Sequence, residues 1–162
     1  MSRESRTFRA RALAQAHPLS PGANRYVNDV IARERESQPQ PEIGMWAGYA
    51  LTNGYCLRRV EEAEMLDDPP QPKTGDSQAL EQRATDIAGR IRTSGAERLH
   101  LTSEADIVAD LDDLIAGEIE RRLDDWRDAV SAETWHQLEE YIAWWTIKGY
   151  ALRIAETTEA GG

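Results

Sequence analysis

Apolar residues in this chain recur every three or four positions and rarely alternate, a spacing that predicts helices and no sheet. Tyr26, Val27, Val30 and Ile31 share one face, Leu80, Ala84, Ile87 and Ile91 another, and Ile107, Leu111, Leu114, Ile115 and Ile119 a third. Start and stop signals separate these runs. Ser20 before Pro21 makes an N-cap with a first-turn proline. Pro39 and Pro41 end that helix, and Pro41 opens the next, which should run to about residue 67. "DDPPQPKTGDS" reads as a linker, after which Ser77 is placed to cap a helix reaching about residue 93. "RLHL" at 98–101 offers one brief extended piece, too little for a sheet. Ser103 with Asp106 resembles a capping box heading a helix to about residue 129, and Ser131 with Val130 and Trp135 fits an N-cap with a hydrophobic staple. The last helix, to about residue 157, is apolar on more than one side through Leu138, Tyr141, Ile142, Trp144, Trp145, Ile147 and Leu152. Such a helix belongs at the centre of a fold or under a second subunit.

Two pairs of segments repeat. "GYCLRRVE" from Gly54 and "GYALRIAE" from Gly149 share Gly-Tyr-x-Leu-Arg-x-x-Glu, 95 positions apart. "VNDVIARERE" from Val27 lines up with "LDDLIAGEIE" from Leu111, an offset of 84. Each half thus reads as one helical hairpin, and an internal duplication is expected. The predicted fold class is all-α: a helical bundle of two related hairpins forming a pseudo-two-fold four-helix core, with an inserted short helix and an N-terminal arm. One domain should cover 1–162, divided into the arm (1–19), first hairpin (20–67), linker (68–76), inserted helix (77–95) and second hairpin (103–158).

The helical wheel then places candidate chemistry. Glu34 falls on the apolar stripe of its helix, and Glu118 falls on the corresponding stripe. Leu51, Tyr55 and Arg58 share a face, as do Thr146, Tyr150 and Arg153. A buried carboxylate is costly without a partner, and guanidinium meets carboxylate in bidentate fashion. The expected site is therefore an interior network of Glu34, Tyr55, Arg58, Glu118, Tyr150 and Arg153, either a structural lock or a ligand pocket. Against this stand solvent-exposed pairs of Arg58 with Glu61 and Glu62, and of Arg153 with Glu156, worth a few tenths of a kcal/mol each. Gly44 and Gly48, four apart inside a helix, imply close approach of a neighbour.

Composition adds limits. The chain of 162 residues carries a net charge of −10, unevenly spread. Residues 1–40 hold seven Arg against four acids; the rest hold twelve basic groups against twenty-five acids. The acidic body argues against direct nucleic-acid binding, and the Arg-rich arm is expected to dock back on it. The single cysteine, Cys56, excludes an internal disulfide and suits a reducing cytoplasm. No apolar run approaches the length of a membrane span, and the first residues are too polar for a secretory signal. Glu133 and His136 spell Glu-x-x-His once, without the repeated partner set of a ferritin-like di-metal carboxylate site. His17 and His100 have no ligand or triad spacing, and no phosphate-binding glycine loop is present. No cofactor or metal is expected. The functional expectation is a non-enzymatic interaction or regulatory protein, a cytoplasmic homodimer that engages a protein partner. The alternative is a small anionic ligand-binding protein or enzyme with its Glu/Tyr/Arg pocket inside the bundle.

Overall fold

A computed structural model describes residues 3–16, 18–73, 75–92 and 104–158. Six helices carry the regular structure of these residues: α1 (Arg3–Ala14), α2 (Pro21–Ser37), α3 (Pro41–Met65), α4 (Ser77–Arg92), α5 (Glu104–Leu123) and α6 (Ala132–Thr157). A 3₁₀ turn at Asp124–Trp126 follows α5.

The caps explain most of the boundaries. Ser20 Oγ accepts from the Ala23 amide at 3.1 Å and Ser131 Oγ from the Thr134 amide at 3.1 Å, as their sequence positions predict. At α4 the cap is Asp76, not Ser77: its Oδ2 accepts from the Ala79 amide at 2.9 Å. The capping box suggested at Ser103, and the extended piece at 98–101, lie outside the described residues. The helix expected to reach about residue 129 stops at Leu123. There the fully buried Leu123 anchors the turn, and Trp126 packs edge-on against Trp46 with ring centroids 5.4 Å apart.

The two longest helices, α3 and α6, form the centre. They run in the same direction: Ile43 and Trp46 near the start of α3 join Leu138 and Ile142 near the start of α6, while Glu62 near the end of α3 meets Arg153 near the end of α6. Around this pair, α2 packs on α3 and α5 on α6. Helix α1 lies on α3 and touches α5; helix α4 lies on α6 and touches α2. Gly44 and Gly48 serve the α2–α3 approach. A Cβ on Gly44 would lie 2.8 Å from Arg35 Cα, and one on Gly48 would strike the Ile31 side chain.

The Arg-rich arm docks on the acidic body. Arg6 is buried, its Nε donating to Asp110 Oδ2 at 2.7 Å with Nη1 3.5 Å from Glu64. Arg11 Nη2 donates to the Asp113 carbonyl at 3.1 Å. The broad apolar circumference of α6 is taken up within one chain, by α3, α4 and α5. Among the described residues no helix is long and apolar enough to cross a membrane.

Candidate functional site

The repeated motif lies at the crossing of α3 and α6. A Cβ on Gly54 would stand 2.7 Å from the Tyr150 amide nitrogen and closer still to the Thr146 carbonyl oxygen. A Cβ on Gly149 would stand 2.7 Å from the Leu51 carbonyl carbon and closer to its oxygen. Only glycine lets the two backbones touch here.

That contact brings the following tyrosines and arginines across the seam. The Tyr55 hydroxyl donates to Glu156 Oε1, and the Tyr150 hydroxyl donates to Glu61 Oε1 at 2.5 Å. Arg58 Nη1 donates to Tyr150 Oη at 3.1 Å, and Arg153 Nη1 to Tyr55 Oη at 3.3 Å. Adding or subtracting the 95-residue offset turns each of these contacts into its counterpart. The reciprocity stops one residue later, where Glu62 corresponds to Thr157. Arg153 binds Glu62 closely, where Arg58 Nε stands 4.0 Å from it: its Nε and Nη2 donate to Glu62 at 3.0 and 2.8 Å, its Nη1 to Glu156 at 2.8 Å, and Nη2 also to the Pro70 carbonyl at 2.9 Å. Ser20 Oγ closes the cluster on Glu156 Oε2 at 2.6 Å.

Four of the six sequence-predicted residues thus meet: Tyr55, Arg58, Tyr150 and Arg153. Glu34 and Glu118 do not join them. Glu34 Oε1 accepts from the Tyr141 hydroxyl at 2.8 Å, with Arg33 at 3.8 Å. Glu118, only 2% exposed, accepts from Arg122 Nε at 3.1 Å and lies 3.8 Å from Arg121. The arginines instead use Glu61, Glu62 and Glu156, the acids of their own motif. The intrahelical pairs read from sequence as surface contacts are present, Arg58 to Glu61 at 3.7 Å and Arg153 to Glu156 at 2.8 Å, but Glu61, Arg153 and Glu156 are buried and Arg58 is only 12% exposed.

The tyrosines and Arg153 of the seam hold their protons. Burial, then the hydrogen bond to Glu156, pushes the Tyr55 hydroxyl up to about 12; burial and the Glu61 charge raise Tyr150 well above the ordinary tyrosine value. Burial opposes the Arg153 charge, but the hydrogen bonds it donates to Glu62 and Glu156 outweigh it and hold the guanidinium charged. Cys56 is buried and its thiol is pushed up to about 12 by burial, far from a reactive thiolate.

Glu61 is the exception in this cluster. It is fully buried, its Oε2 meets no donor, and burial lifts its carboxyl from 4.5 to about 7 against the opposing Tyr150 hydrogen bond and Arg58 charge. Between those two values the unfolded chain is ionised and the folded chain protonated. Unfolding releases a proton there, so this group lowers stability as pH rises through that window. Glu61→Gln is expected to flatten the decline, read as the urea midpoint at about pH 5 and about pH 7. A variant with the wild-type pH profile would show that Glu61 does not titrate in this way.

A second feature lies to one side of the seam: a cleft of about 300 Å³ between α1, α2, α3 and α5. One wall is apolar, formed by Ala14, Leu19, Val27 and Ile31. The other carries Arg11, Asn53, Glu118, Arg121 and Arg122, with Tyr49 at its edge. Arg122 is held 4.3 Å above the Tyr49 ring while it binds Glu118. The Thr52 hydroxyl is spent on the Gly48 carbonyl at 2.9 Å. Asn53 differs: it is 7% exposed, lines the cleft, and its amide has no hydrogen-bond partner among the described residues. Sequence reasoning passed over Asn53, which sits in "LTNGY" among helix-interior residues with nothing to mark it. It also passed over Lys148, which is buried under Trp145 at 4.8 Å and reaches Glu81 Oε1 at 2.6 Å.

Among the described residues no group of three or more His, Cys, Asp or Glu side chains converges as a metal site requires. No protein-family model, no curated protein and no solved structure matches the chain.

Proposed function

We propose that this chain is a non-enzymatic binding protein whose ligand occupies the cleft between α1, α2, α3 and α5. Its six helices are two related three-helix units, α1–α3 and α4–α6. The observation that carries the binding reading is Asn53, a buried amide without a partner facing a cleft of ligand size. With no protein partner, the amide of this largely buried residue opens to the cleft and is free to hydrogen-bond a ligand there.

The second unit supports this reading by serving as an internal comparison. The 95-residue offset sets Asn53 opposite Lys148, Thr52 opposite Ile147 and Tyr49 opposite Trp144. The offset of 84 sets Glu118 opposite Glu34. At the counterpart positions the polar groups satisfy one another: Lys148 of the second unit closes on Glu81, and Glu34 of the first takes the Tyr141 hydroxyl of the second. The polar lining at Asn53 is therefore no requirement of the fold. The way α4 packs on α6 and touches α2, as α1 packs on α3 and touches α5, favours a repeat of three helices over a hairpin with an insertion.

The protonated tyrosines of the seam and the protonated Cys56 favour binding over catalysis. A lone buried cysteine is also in keeping with a reducing, cytoplasmic setting. The homodimer suggested by α6 loses its main support, since that helix is covered within one chain, and the binding reading needs one chain only. A thermal-shift screen of a chemically mixed small-molecule library tests it, with Asn53→Leu as the control. At least one compound should raise the midpoint of the native chain and not of the variant. If no compound of any charge separates the two proteins, the cleft is not a binding site.

A further inference from the structure

The charge and lining of the cleft specify its occupant more narrowly, given the binding reading above. We infer that the ligand is a small amphipathic anion, a carboxylate or phosphate group on an apolar body. Three arginines line the cleft against one glutamate, in a chain whose net charge is −10. The surface at large repels anions, and this concavity gathers them. Glu118 does not cancel the surplus, because Arg122 and Arg121 together bring two positive charges to its one.

Donors and positive charge converge from three helices. Asn53 of α3 offers an amide with no partner. Arg121 of α5 keeps its half-exposed guanidinium at the mouth, 3.8 Å from Glu118. Arg11 of α1 is fixed by Nη2 on the Asp113 carbonyl and packs over Gly117; its Nε is sealed from solvent, so Arg11 contributes positive charge to the cleft. A cation would face the arginine surplus. A neutral hydrocarbon would leave Asn53 unsatisfied. The apolar wall of Leu19, Val27 and Ile31 suits a hydrocarbon chain and would be wasted on free phosphate. A polymer does not fit: at ~30 Å³ per water-sized group, the cleft holds about ten non-hydrogen atoms.

Isothermal titration with four probes of that size tests the inference: octanoate, hexyl phosphate, octanol and octylamine. One of the two anions should bind at least about tenfold more tightly than octanol and octylamine, a difference of about 1.4 kcal/mol. Which anion is preferred separates carboxylate from phosphate chemistry. Arg121→Gln should weaken the anion several-fold and leave octanol unchanged. This variant decides the matter because its half-exposed side chain lies outside the core. Octanol or octylamine binding as tightly as the anions, at a site lost in Asn53→Leu, would overturn the anion assignment and leave the binding reading standing. No heat with any of the four probes would also overturn it, and the library screen then decides separately whether the cleft binds anything.

Discussion

Arg153→Met is expected to destabilise the fold by about 3–5 kcal/mol, the range for breaking a buried ion pair by removing one partner. The loss follows from what stays behind. Glu62 and Glu156 are both fully buried, and Arg153 supplies hydrogen bonds to each. Without it, two buried carboxylates lose the guanidinium that pairs them. Urea denaturation at neutral pH reads the loss directly. The double variant Arg153→Met with Glu62→Met should be more stable than the sum of the two single changes predicts, because the second substitution removes a charge the first has stranded. Arg58→Met should cost less, since the Arg58 side chain is 12% exposed against 5% for Arg153 and stands 3.7 and 4.0 Å from Glu61 and Glu62, where Arg153 reaches Glu62 at 2.8 Å. Equal losses at Arg58 and Arg153 would mean that the Glu62 contact contributes nothing, and additive double-variant energies would argue against a coupled network.

Gly149→Ala should cost about 3 kcal/mol, the upper end of what overpacking a core costs. Most overpacked positions relax by turning a side chain. Here the obstacle is the main chain of Leu51, so α3 and α6 must separate along their whole contact. Gly54→Ala should behave alike against Thr146. Gly89→Ala is the comparison: among the described residues no other element comes within 4 Å of the added carbon, and alanine in a helix interior is favoured by roughly 0.5–1 kcal/mol. Thermal unfolding should therefore fall for the first two and rise slightly for the third. A neutral Gly149→Ala would mean that the helices do not meet as closely as described.

The sequence revealed the helices well, because periodicity and caps are local. It also revealed the two motifs, and their tyrosines and arginines do meet. It could not reveal that α3 and α6 run side by side in the same direction, because periodicity states which face is buried and not against what. For that reason Arg58 and Arg153 were matched with Glu34 and Glu118, on the adjoining helix of each hairpin, when their acids lie on the motif helices themselves. The helix at 77–92 reads as an insertion from sequence, where its spacing carries no record of its packing on α6; the proposed three-helix repeat would instead make it the counterpart of α1. Glu118 was legible as an inward carboxylate. The cleft it faces was not, because that cleft exists only once α1 has folded back through Arg6 and Arg11. Asn53 carries no sequence signal at all; it becomes visible as a buried amide whose neighbours leave it unanswered.

The reciprocity of the α3–α6 seam has a further consequence. Residue-for-counterpart exchange of contacts is also how a two-fold interface between identical subunits is built, and the proposed pair of related units would enclose such an interface in one polypeptide. Such an interface between separate chains would weaken on dilution; joined by a tether, its two sides face each other at a fixed effective concentration. Covalent joining also removes the requirement that the two sides stay identical. One side can keep Glu62 where the other has Thr157, and one can keep Asn53 open where the other closes with Lys148. An assembly of identical subunits would have to carry any such change twice.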